Sequence, residues 1–140
     1  MSQAIIDRIL EREFVTIKAA NPAAYPNTPF NPPDNAPFYL EYHIIPAGPQ
    51  VLDLASAAVI YRGSWQINVV GVRDVGVELL RREADRIAGL LLADHEMRDP
   101  ISGVSVYLNG ACGVFSGITD DDAYIIPLSV DYRADILLNV

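Results

Sequence analysis

The chain has 140 residues, 51% of them hydrophobic, with a formal net charge of -8 and a single cysteine, Cys112. That length fits one domain, residues 1–140, with a core that needs no staples. The acidic balance argues against a nucleic-acid binder, which needs a basic face to neutralise phosphates. One cysteine leaves no internal disulfide and no multi-cysteine metal site. No apolar run approaches the ~20 residues of a membrane span, and the N-terminus MSQAIIDRILER lacks the layout of a signal peptide. The expectation is a protein made in the cytoplasm, without a membrane partner.

Ser2 is a candidate cap for a helix starting at Gln3, because Ile5, Ile6, Ile9, Leu10, Phe14 and Ile17 recur at helical spacing. Asn21-Pro22 should end it, since a residue before proline disfavours the helical region. The stretch YPNTPFNPPDNAPFYLEY, residues 25–42, then packs five prolines and three asparagines in front of a strand. Proline fixes φ and lowers the entropy lost on ordering. The loop therefore reads either as a rigid surface offered to a neighbour or as a crossover that covers the core. Tyr25 and Phe30 would anchor it, with residues 31–35 as its outer turn.

Residues 38–45 alternate as a strand, with Phe38, Leu40, Tyr42 and Ile44 on one face. A loop at 46–57 follows, and then a longer strand at about 58–70, where Tyr61, Gly63, Trp65, Ile67 and Val69 share a face. Residues 71–76 read as a turn, with Asp74 a possible cap. The clearest helix spans about 76–93, with Val77, Leu80, Ala84, Ile87 and Leu91 as its apolar stripe. Glu78 and Arg82 sit four apart, as do Arg81 and Asp85, and opposite-charge pairs at this spacing support a helix.

A polar break at 94–103 leads to the short strand VSVYLN. Asn109-Gly110 is a turn signal, with a weaker strand at about 111–116 beyond it and a turn from Gly117 to Asp122. The final strand, AYIIPLSVDYR, carries Pro127, which cannot donate to a ladder and so predicts an edge or a bulge. Helix, two strands, helix and two or three strands describe an α+β fold: a mostly antiparallel sheet with two main helices on one face, as a two-layer sandwich.

Catalytic patterns are sparse. Cys112 lies in Gly110-Ala111-Cys112-Gly113, where it reads as a small apolar residue in a tight strand. The competing reading is an exposed nucleophile with His43 or His95 as base, which would make the protein a small cytoplasmic enzyme. His43 is expected to be a partly buried sheet residue and His95 a solvated residue after the helix. Asp120, Asp121 and Asp122 could hold a hard cation. Without the spacing of a calcium loop, they read as a solvated acidic turn. No glycine-rich phosphate loop and no Gly-x-Ser-x-Gly elbow is present.

The order of motifs resembles the phage tail-terminator-like proteins of long-tailed phages. The resemblance runs through Tyr25-Pro26-Asn27, Phe30, Pro32-Pro33 and Pro37-Phe38-Tyr39-Leu40. It continues through Tyr61-Arg62-Gly63-Ser64-Trp65-Gln66-Ile67-Asn68-Val69 and the helix around Ala84 to Leu91. It closes with Tyr124, Pro127 and Val130 to Tyr132-Arg133, covering about residues 1–133. The tail 134–140 is extra apolar sequence outside it.

The resemblance implies a virion tail protein that closes as a homo-oligomeric ring, usually of six copies, on a finished tail tube. The ring ends polymerisation and offers a surface to a head-completion or neck protein, with no catalysis and no cofactor. DNA would pass without specific binding, an acidic lumen repelling its phosphates, and the Asp120–Asp122 turn is a candidate for such a lining. The nearest alternative is another neck or tail component, such as a head-completion or tail-tube protein. Val51, Leu52 and Leu54, apolar residues in a loop too long for a tight hairpin, are the candidate subunit contacts.

Overall fold

The structure, a computed structural model, describes residues 2–51, 58–72, 76–120 and 123–137. Helix α1 (Ser2–Lys18) starts one residue earlier than expected. Ile6, Ile9, Leu10, Phe14 and Ile17 are all buried, so the helical spacing resolves into a single apolar side. The helix stops at Lys18, ahead of Asn21-Pro22. Ala19 adopts a left-handed φ of 51°, and the Asn21 N–H donates back to the Lys18 carbonyl at 2.9 Å.

The remaining elements are β1 (Ala23–Ala24), β2 (Phe38–Pro46), β3 (Gln50–Val51), β4 (Ala58–Val72), α2 (Glu78–Leu90), β5 (Glu96–Arg98), β6 (Ser105–Val114), β7 (Ile118–Asp120) and β8 (Ala123–Leu137). They build one sheet in the order β1-β2-β4-β8-β6-β5, with β3 beside β4 and β7 beside β8. Every pairing is antiparallel except β1 with β2, so the fold is α+β with a mixed sheet. The centre of the sheet is the pair β4 and β8, each 15 residues long and in register throughout.

Alternation decides the faces. Leu40 and Tyr42 of β2, Trp65, Ile67 and Val69 of β4, Ile126, Leu128, Val130 and Tyr132 of β8, and Val106 and Leu108 of β6 form one core cluster. The same cluster holds the apolar side of α1 and Leu80, Ala84, Ile87 and Leu91 of α2. Both helices therefore serve the same sheet face. Val77, expected on the α2 stripe, is 45% exposed and stands at the helix cap. Asp74, the other candidate cap, lies outside the described residues. The Glu78–Arg82 pair forms at 2.7 Å, whereas Arg81 donates to the Phe115 carbonyl.

Several expectations are corrected. Asn109-Gly110 is not a hairpin turn: β6 runs straight through it, and the register against β8 shifts between Asn109 and Gly113. Gly110, at φ 95°, accommodates this bulge, a conformation that glycine adopts without strain. Pro127 lies on an interior strand rather than at an edge. Its carbonyl accepts from the Phe115 N–H at 2.9 Å, so its ring nitrogen faces the same side. There β6 ends at the Val114↔Leu128 pair and β7 begins only at Ile118↔Ile125. The missing donor therefore faces a gap in the ladder.

The polar break at 94–103 contains β5, and the supposed turn from Gly117 to Asp122 contains β7. These strands are only three residues long, too short for a period to show. Residues 134–137 of the apolar tail continue β8, with Ala134 and Ile136 buried and paired with Tyr61 and Val59, and residues 138–140 lie outside the described residues.

Candidate interaction surfaces

The sheet face turned away from the helices is laid out in rows across the strands. Tyr39, Val70, Ile125 and Ile118 stand opposite one another at one end. The next rows are polar. His43 Nε2 and Asn68 Nδ2 both meet Glu41 Oε2, at 2.9 and 3.2 Å, and Gln66 Nε2 donates to Asn68 Oδ1 at 3.0 Å. Ser64 Oγ lies 3.2 Å from both Ser129 Oγ and Asp131 Oδ1. Arg62 stands opposite Arg133, a like-charge pair. Asp135 offsets it by accepting two bonds from Arg133, at 2.8 and 3.1 Å. A half-polar sheet face is what an antiparallel strand produces when only one side is covered.

The proline-rich loop wraps the β2 edge. On the core side, Tyr25 meets Phe14 edge-on at 5.7 Å and Tyr42 at 6.2 Å. On the other side, Phe30 lies 4.9 Å from Tyr39. Residues 31–35 are exposed between these anchors. Both aromatic anchors thus act as expected, one on each side of the strand.

Two polar clamps hold α1. At its C-terminal end, Arg86 donates to the Ile17 carbonyl at 2.7 Å and to Glu83 Oε2 at 2.7 Å, satisfying a carbonyl that the helix leaves without an internal partner. Asn21 also reaches Glu83 Oε2, at 3.2 Å. At the other clamp, fully buried Asp99 accepts from Ser102 Oγ at 2.6 Å, Ser102 N–H at 3.2 Å, Arg8 at 2.6 Å and Arg12 at 3.4 Å. Ser102 foremost, against the opposing effect of burial, and then Arg8 hold the Asp99 carboxyl well below its ordinary range.

Asp99 escapes a motif search aimed at catalysis. The signal that marks it is the turn Asp99-Pro100-Ile101-Ser102-Gly103, in which Gly103 has φ 75°. A group with a depressed folded pKa contributes stability above its unfolded value, about 4 for aspartate, and loses it as the pH falls. Asp99→Asn should lower Tm clearly at pH 7 and by a somewhat smaller margin at pH 3, because the contribution vanishes only as the pH falls through the depressed folded value. Thermal melts at the two values check this, and an equal Tm loss at both would count against the charge.

The candidate chemical groups are not gathered into one site. Cys112 is half-buried; burial pushes its thiol up to about 11, and its Sγ contact is the Gly113 carbonyl at 3.9 Å. That setting is the reverse of an activated thiolate. His43, expected to be partly buried, has a 53% exposed side chain because it lies on the face without helices. His95 lies 3.1 Å from Glu13 and is less solvated than expected. Among the described residues, no group of three or more His, Cys, Asp or Glu is placed to hold a metal ion. Cys112→Ala should change stability by no more than about 1–2 kcal/mol, as read by denaturant melts.

Of the candidate contact residues, Val51 is in β3, while Leu52 and Leu54 lie outside the described residues. Asp120 ends β7, and Asp121 and Asp122 lie outside the described residues.

These surfaces belong to a protein whose polar groups are spent on holding its elements together, with a broad sheet face open beside them. The family model for phage tail terminator proteins matches residues 2–132, so the chain belongs to that family. It is a phage tail structural protein. A solved structure whose name states no activity superposes with a TM-score of 0.78, at 29% identity and 96% coverage of both chains. No curated protein matches the chain.

Proposed function

We propose that residues 1–140 act as one two-layer unit that assembles with copies of itself, six to a ring, on the end of a completed tail tube. The ring halts tube polymerisation and gives the head-completion or neck protein its seat, and DNA passes without specific contact. It works in the virion tail after synthesis in the host cytoplasm, with no enzymatic step and no cofactor. The observation that carries this reading is the family match over almost the whole chain.

Val51, Leu52 and Leu54 are proposed to meet a different patch on the adjacent copy, as a closed ring requires. The acidic turn Asp120–Asp122 is proposed to face the lumen or solvent. The test is negative-stain imaging of purified protein with and without tail tubes. Rings seated at tube ends, and tubes that stop growing, are expected. Leu52→Ser with Leu54→Ser should leave the monomer folded while abolishing rings and capping. Wild-type rings from that double variant would move the interface elsewhere, and unchecked tube growth beside wild-type protein would reject the capping role itself.

A further inference from the structure

The two edges of the sheet are finished differently. At one edge, β5 covers Ser105 to Tyr107, and the Asn109–Gly113 bulge then distorts β6. Short covering strands and bulges are how proteins blunt an edge. At the other edge, β1 pairs with β2 only at Leu40 and Glu41. The next residues of the parallel register lead into Pro26, which has no N–H to offer. Among the described residues, no strand pairs with this outer edge of β2 beyond that point, while β4 stays paired on the inner side.

The direction of the free groups follows from two bonds. The Ala47 N–H donates to Arg62 of β4, whereas the Leu40 N–H points the other way, to the Pro22 carbonyl. Backbone groups alternate sides along an antiparallel strand. The N–H and carbonyl of Ile44 and the carbonyl of Pro46 therefore face outward.

This edge opens onto a groove of about 340 Å³ lined by Asp7, Arg8 and Glu11 of α1 and by Pro26, Tyr42 and Ile44. The Arg8 guanidinium is turned to Asp99 at 2.6 Å. Asp7 and Glu11 remain as carboxylates on the rim, Asp7 accepting from Gln3 at 2.8 Å and Glu11 from the Tyr42 hydroxyl at 3.2 Å. The groove thus combines outward-facing backbone groups, an apolar floor and a negative rim.

We propose that this groove takes an extended segment of a partner protein as an added strand on β2, with a basic side chain of that segment meeting Asp7 and Glu11. Main-chain bonds would supply affinity, and alternate side chains specificity, as in other cases of strand addition. The charge of the rim selects the partner: a segment from another copy of this acidic chain is the poorer match. The inference stands apart from the ring reading, because it concerns one edge of a single subunit.

The test titrates the 15N-labelled protein with two blocked hexapeptides, one alternating valine with lysine and the other valine with glutamate. The lysine peptide should shift the amide resonances of residues 42–45 and slow exchange of the Ile44 amide, and the glutamate peptide should not. Asp7→Asn with Glu11→Gln keeps the size of both side chains and should weaken binding roughly three- to tenfold, the scale for two rim charges. No response at Ile44, equal binding of the two peptides, or protection of Ile44 that rises with protein concentration alone would each overturn the proposal, the last by showing a second copy on the edge.

Discussion

Trp65→Ala should cost about 3–5 kcal/mol, the range for deleting a fully buried aromatic side chain. Trp65 is 0% exposed and stands between Ile44 of β2 and Val130 of β8 in the cross-strand register. Its removal empties the middle of the sheet, where the backbone is pinned on both sides and cannot collapse into the space. Among the described residues its Nε1 has no hydrogen-bond partner, so Trp65→Phe gives up volume but no hydrogen bond. The phenylalanine variant should therefore retain most of the stability that alanine loses. Urea melts of the three proteins decide the order. Native emission should be blue-shifted relative to exposed indole, and a water-like spectrum with a small alanine penalty would contradict the burial.

Gly63→Ala should cost about 1–3 kcal/mol, the scale of overpacking, and more where the neighbours cannot move. A Cβ at Gly63 would fall 2.5 Å from the Tyr132 hydroxyl and 2.6 Å from the Ile45 carbonyl oxygen. Neither yields easily. The carbonyl belongs to the β2 backbone, and Tyr132 is buried with its hydroxyl accepting from Gln3 of α1 at 3.3 Å. Gly48 is the control, because a Cβ there meets nothing within 4 Å. Gly48→Ala should leave the denaturation midpoint nearly unchanged, and equal midpoints for the two variants would reject the steric account.

Long periodic segments were legible from the sequence. The alternation of Leu40, Tyr42, Trp65, Ile67 and Val69 assigned the buried face correctly, since burial on one side of a strand imposes a period of two. The spacing in α1 and α2 did the same for the helices. Short elements were not legible: β5 and β7 owe their existence to pairing with β6 and β8, which no local pattern encodes. The same limit explains Pro127 and Gly110. Each residue correctly announced a break in hydrogen bonding, but whether that break becomes an edge, a turn or a bulge depends on the strand alongside. For the surfaces, sequence identified the aromatic anchors Tyr25 and Phe30 but missed Asp99, whose partners Arg8 and Arg12 come from the far end of the chain.

The central position of β8 has a consequence for how the chain folds. β8 is the last strand in sequence, yet it alone joins β4 to β6 and β7. During synthesis, β2 and β4 can pair as soon as both exist, but the other edge of β4 has no strand to pair with until residues 123–137 are made. Pairings between distant parts of a chain cost loop-closure entropy before they return any contact, which places such topologies in the slower, millisecond-to-second range. The rate-limiting event should be the pairing of β8 with β4 on one side and β6 on the other. Until that happens, a long strand edge stands exposed to other nascent copies, so the yield of native protein should fall as the expression rate rises and recover at lower concentration.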